Sequence, residues 1–97
     1  MHILHIEHPI RDFDTWKAAF DRASGRRQQS GVRRYRVGQP TDDQNYVIID
    51  LEFDSECEAE SFLAWLRSDV WPSREAAPAL IGDPQTRIVG AVESKVY

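Results

Sequence analysis

At 97 residues the chain has room for one domain, and a domain of this size buries only about 60–65% of its unfolded surface. Its 41% hydrophobic and 29% charged residues are those of an ordinary globular protein and exclude a disordered or membrane-embedded chain. Twelve basic against sixteen acidic residues give a net charge of −4, so neither nucleic acid nor anionic membrane is expected as a partner.

The chain opens on MHILHIEHP, which holds all three of its histidines, at positions 2, 5 and 8. His2, Leu4, Ile6 and His8 alternate with Ile3, His5 and Glu7 before Pro9, the period of a strand. In RDFDTWKAAFDRASGRR, Phe13, Trp16, Phe20 and Ala23 recur at steps of three and four, the apolar stripe of one amphipathic helix. Asp12 is its expected N-cap, and Gly31 marks the exit toward a second strand, VRRYRVG, closed by Pro40. PTDDQN supplies turn residues, so YVIIDLEF folds back as the other arm of a hairpin.

Ser55 and Glu58 have the spacing at which each side chain caps the other's backbone amide, which starts a second helix. Its apolar face is Ala59, Phe62, Leu63, Leu66 and Val70. VWPSREAAPALIGDP is punctuated by proline and glycine, with one helical turn expected around Ser73 to Ala77. QTRIVGAVESKVY, rich in β-branched residues, reads as a last strand. The single cysteine, Cys57, leaves no internal disulfide or cysteine zinc cluster. With no basic and apolar leader and no apolar stretch of about 20 residues, a cytoplasmic location is expected.

Strand, helix, strand, strand, helix, strand is the ferredoxin-like α+β arrangement, a single domain over residues 1–97. Two helices cover one face of an antiparallel sheet whose strands run 4-1-3-2. On the third strand Val47, Ile49, Leu51 and Phe53 belong under the helices, leaving Tyr46, Ile48, Asp50 and Glu52 on the open face. Leu4 and Ile6 sit likewise under the helices, with Ile3, His5 and Glu7 opposite. Pairing Tyr35 and Val37 inward sends Arg34 and Arg36 to the open face beside Asp50 and Glu52, although a slip of one residue would reverse this.

DFDTWKAAFD, SGVRRYRV and DDQNYVIIDLEFDS together resemble the dimeric α/β-barrel superfamily, and within it the small antibiotic biosynthesis monooxygenases and polyketide cyclases. The resemblance spans about the first two thirds of the chain. It implies a homodimer in which two sheets pack their open faces into a barrel, with a pocket in each subunit between sheet and helices or loops. No residue here is matched to the catalytic groups of characterised monooxygenases.

Alternation keeps the histidines apart: His2 and His8 project toward the helix side near the strand's ends and read as terminal polar residues, whereas His5 faces the open side. A three-histidine metal site is therefore not expected. His5 lies near Asp50 or Glu52, and a carboxylate that orients an imidazole and raises its basicity is the arrangement of a general base. One reading makes His5 and Asp50 catalytic, with Arg34, Arg36, Glu52 and Tyr46 contacting an enolisable or anionic small molecule. The other makes the same cluster a polar network inside a dimer interface. Trp16 falls on the first helix's stripe and reads as core, while Trp65 and Trp71 could stack on an aromatic ligand. Cys57, in the first turn of a helix, has no histidine beside it and is a bystander.

No dinucleotide fingerprint, phosphate-binding loop, His-Glu-x-x-His or paired-cysteine motif occurs, and no cofactor is expected. The arginines of GRRQQSGVRRYR fit a helix end and a charged edge strand. The expected function is a small homodimeric protein binding a partly apolar or aromatic molecule. The alternatives are a cofactor-independent monooxygenase or cyclase with His5 as base, and a non-catalytic interaction module.

Overall fold

In the computed structural model, which describes Met1 to Tyr97, the alternating segments form β1 (His2–Pro9), β2 (Arg34–Gly38), β3 (Tyr46–Phe53) and β4 (Gln85–Gly90). They make one antiparallel sheet in the order β2-β3-β1-β4, which is the 4-1-3-2 arrangement read from its other edge. The hairpin register sets Arg34 opposite Glu52 and Arg36 opposite Asp50, as the pattern of β2 requires. Leu4 and Ile6 of β1 and Val47, Ile49, Leu51 and Phe53 of β3 are all buried. Ile3, His5, Glu7, Tyr46, Ile48, Asp50 and Glu52 stay half-buried on the other face. The core thus occupies one side of the sheet only.

That side is covered by α1 (Phe13–Arg22), α2 (Ser24–Gln29) and α3 (Glu56–Trp65). Asp12 caps α1 by accepting a hydrogen bond from the Thr15 amide at 2.8 Å. The single helix expected over residues 11–27 is instead two, interrupted at Ala23, whose φ of −92° and ψ of 12° leave the helical basin. Ser24 and Gly25 have weak helix propensity, so little resists the break. The turn lets Arg27 fold back, where it donates to the Phe20 carbonyl at 2.6 Å and lies 3.7 Å over the Phe20 ring. Arg27 is only 5% exposed, an unusual depth for an arginine.

Gly31, with φ of +96°, turns the chain out of α2, and a side chain there would run into the carboxylate of Glu58. Ser55 caps α3 by accepting from the Glu58 amide at 3.2 Å, but the cap is not reciprocal in the expected way. The Glu58 carboxylate receives the Ser55 hydroxyl at 3.1 Å rather than an amide. Ala59, Phe62, Leu63 and Leu66 are buried as the periodicity demands. Beyond Trp65 the helix widens into a π-helical turn, Leu66–Val70, closed by the Trp71 amide donating to the Leu66 carbonyl at 2.8 Å.

The segment after Trp71 holds the expected turn, the Ala77 amide donating to the Ser73 carbonyl at 2.9 Å, and a second in which the Leu80 amide donates to the Ala77 carbonyl at 3.4 Å. It is pinned to the end of β1: Arg11 donates to the Ala79 carbonyl at 2.9 Å, Ile81 donates to the Pro9 carbonyl at 3.3 Å, and Ile10 bridges to Leu80. The last strand ends sooner than its composition predicts. Gly90 pairs with His2, the first residue of β1, and past one further bond from Ala91 to the Met1 carbonyl no neighbouring strand remains. Val92, Val96 and Tyr97 are accordingly exposed.

Candidate functional site

Between the covered face of the sheet and the helices lies a cavity of about 430 Å³, within the range of small-molecule sites. Its floor is Ile6, His8, Ile49 and Leu51 of the sheet, the inward set of β1 and β3. One wall comes from α1 and α2, where Trp16 stacks on Phe20 at 4.8 Å and Phe20 meets Tyr35 edge-on at 5.1 Å. The other comes from α3 and the π-helical turn: Phe62, Trp65, Leu66, Asp69, Val70 and Trp71. The segment Ala76 to Leu80 closes one end. Sixteen of the twenty-two lining residues are hydrophobic, so an occupant is held by apolar and aromatic contact first.

The polar groups are few. Arg22, Arg26, Arg27, Asp69 and His8 are the charged or titratable residues of the lining. Arg26 lies 4.4 Å over the Trp65 ring, so a cation from one wall meets a large aromatic surface of the other. His8, expected on the helix side as a terminal polar residue of the strand, is only 4% exposed and lies in the cavity lining. The loop pinned over Pro9 and Ile10 covers the strand end that the sequence leaves open. His8 Nδ1 donates to the Pro9 carbonyl at 2.9 Å, which leaves the lone pair on Nε2. Burial pushes its pKa below the usual histidine value, only partly offset by that carbonyl, so the ring is neutral at neutral pH.

The residues singled out in the sequence divide between the two sides of the sheet. Trp65 and Trp71 line the cavity. His5, Asp50, Glu52, Tyr46, Arg34 and Arg36 do not; they stand on the open face. There His5 Nδ1 meets Asp50 Oδ1 at 2.7 Å and Nε2 meets Glu7 Oε2 at 2.7 Å, while the Tyr46 hydroxyl donates to Glu7 Oε1 at 2.7 Å. With a carboxylate on each nitrogen the ring is held as an imidazolium that donates twice. Its pKa is raised, by Glu7 first and Asp50 next, against the opposing effect of partial burial. Glu7 is lowered in turn by His5, and the Tyr46 phenol is raised by Glu7. Arg36 and Arg87 flank the row, opposite Asp50 and His5 respectively. Arg34 and Arg36 are exposed, and neither forms an ion pair within the chain.

His8, Arg26 and Arg27 went unread in the sequence as site residues. The inward phase of β1 carries His8 to the same face as Ile6, which was the available signal. Nothing comparable marks Arg27, since its burial depends on the break at Ala23.

The fold recurs in solved structures. A protein of unknown function from Nitrosomonas europaea aligns with a TM-score of 0.69 at 13% identity, over 99% of this chain and 93% of that one. SnoaB, a cofactor-independent oxygenase from Streptomyces nogalater, aligns with a TM-score of 0.69 at 14% identity, over 96% and 95% of the two chains. The monooxygenase ActVA-Orf6 of Streptomyces coelicolor, solved in complex with nanaomycin D, aligns with a TM-score of 0.64 at 16% identity, over 99% and 91%. Identities this low establish a shared fold and no more. No curated protein matches the chain in sequence. The family model for antibiotic biosynthesis monooxygenases matches residues 5–76, from the middle of β1 to the cavity's closing segment, and the chain belongs to that family.

Proposed function

We propose that this chain binds a small, planar, largely apolar molecule in the cavity between sheet and helices, as one subunit of a homodimer. The cavity itself carries the reading: about 430 Å³, walled by Trp16, Trp65 and Trp71, with Arg26 on the aromatic wall to meet an electron-rich or anionic edge. The nanaomycin D held by ActVA-Orf6 supports an aromatic occupant, and family membership supports monooxygenation as the reaction it undergoes. On the open face, Ile3 and Ile48 beside the His5, Glu7, Asp50 and Tyr46 network suit an interface better than bulk water, and similar chains from an uncultured marine organism are described as dimeric ferredoxin-like proteins. His5 and Asp50 then hold the register of two sheets, and the exposed Arg34 and Arg36 offer charges to the second copy.

Titration of tryptophan fluorescence with nanaomycin D tests the cavity. Saturable quenching, weakened at least about tenfold in Trp65→Ala, is the expected result, a loss equivalent to about 1.4 kcal/mol. Quenching that ignores Trp65 and Trp71 substitutions would place the molecule elsewhere. Native mass spectrometry tests the assembly: a dimer is expected, loosened in His5→Ala with cavity binding unchanged. A chain that stays monomeric at micromolar concentration would remove the interface.

A further inference from the structure

We propose that His8 is the general base of the cavity, taking a proton from an acidic C–H or O–H of the bound molecule. The substrate class this implies is an aromatic ketone or phenol whose anion is stabilised by conjugation. The proposal rests on the cavity being the binding site and adds the residue that would act there.

Geometry supplies three conditions that a base must meet. The tautomer is fixed, because Nδ1–H is donated to the Pro9 carbonyl at 2.9 Å and Nε2 must then carry the lone pair. That lone pair is uncommitted, since Nε2 forms no hydrogen bond within the protein. It is also reachable: His8 is 4% exposed and lines the cavity, and among buried side-chain nitrogens the one sealed away without a partner is Nδ1 of His2, not Nε2 of His8. A neutral imidazole with one nitrogen free of protein partners, on a residue that lines an otherwise apolar chamber, is placed to receive a proton from an occupant.

The step balances within the site. The C–H or O–H bond of the substrate breaks, its electron pair stays on the substrate as an enolate or phenolate, and the proton becomes the Nε2–H of an imidazolium. The Pro9 carbonyl, already an acceptor, stabilises that cation. Arg22, Arg26 and Arg27 are the cations of the same lining and favour the new anion, while Asp69 is its one carboxylate. Burial holds His8 neutral before the reaction, so the base is available across the neutral range.

The test uses 2-tetralone, a planar-ringed ketone with exchangeable α-hydrogens, in D2O. Binding is followed by tryptophan quenching and deuterium uptake into the ketone by mass spectrometry. The wild-type protein is expected to accelerate exchange on the order of 10²-fold over buffer, with a rate that rises with pH and is half-maximal below the ordinary histidine value of 6.5. His8→Gln is expected to lose this acceleration while binding 2-tetralone within about threefold of wild type, a difference under about 1 kcal/mol. Equal exchange in the two proteins, or no acceleration by a wild type that binds, overturns the assignment of His8 and leaves the cavity reading intact. Absence of quenching overturns the cavity reading and the base with it. Should His8→Gln fail to fold, the wild-type profile decides: an exchange rate without an inflection below the ordinary histidine value of 6.5 refutes the proposal.

Discussion

His5 and His8 stand three residues apart on one strand and experience opposite chemistry. His5, on the open face, has a carboxylate on each ring nitrogen and a raised pKa; His8, on the covered face, has one backbone carbonyl, an apolar chamber and a lowered pKa. The strand period sends them to opposite faces. A sheet with helices on one side offers two solvents to one sequence, and a residue's phase decides whether its charge is stabilised by partners or suppressed by burial.

The strongest test of this contrast lies on β3. Leu51→Ala, on the covered face, is expected to cost about 2–5 kcal/mol in denaturant unfolding at any protein concentration. Ile48→Ala, on the open face, should cost less than that in dilute solution, with an effect that grows with concentration as the second copy covers it. Equal, concentration-independent costs would erase the distinction between the faces. Arg27→Met comes next: it keeps the bulk over Phe20 but removes the donation to the Phe20 carbonyl, and is expected to cost about 1–3 kcal/mol. A neutral outcome would show that the break at Ala23 needs no fastening.

The subtlest test is the sign of the pH dependence. The raised pKa of His5 stabilises the fold fully below the unfolded value of 6.5, and this contribution is lost as pH rises through the folded value. For His8 the folded value is depressed, so wild-type stability is undiminished above 6.5 and falls as pH drops toward the folded value. Melting temperatures of His5→Gln and His8→Gln across about pH 5 to 8 should therefore diverge from wild type in opposite directions. The deficit of His5→Gln should be largest in acid and that of His8→Gln smallest there. Parallel curves would mean that the two rings share one environment.

Most of the frame was legible because it depends on short-range periods. Alternation in YVIIDLEF assigned every residue of β3 to its side, and the steps of three and four in SFLAWL placed Phe62, Leu63 and Leu66 inward. The cluster of His5 with Asp50 followed from strand order and phase alone. What escaped depends on packing that no short period encodes. The break at Ala23 is tied to Arg27 reaching back to the Phe20 carbonyl, and the π-helical turn ahead of Trp71 leaves no mark in composition. The depth of His8 comes from a loop some seventy residues along the chain. Read from the strand alone, His8 was an end; in the folded chain it is a floor.

The pinned segment carries a further consequence. Its backbone is fixed to the end of β1 and the residues just after it through Ala79 and Ile81, and the side chains it gives the cavity include the small Ala76 and Ala77. Exchanging the half-buried Ala77 for a larger residue is expected to shorten the chamber with no change of sequence in a strand or helix. Ligand preference can therefore drift in evolution, or be redirected in the laboratory, through one irregular stretch whose anchor points bear the fold while its side chains remain free to vary.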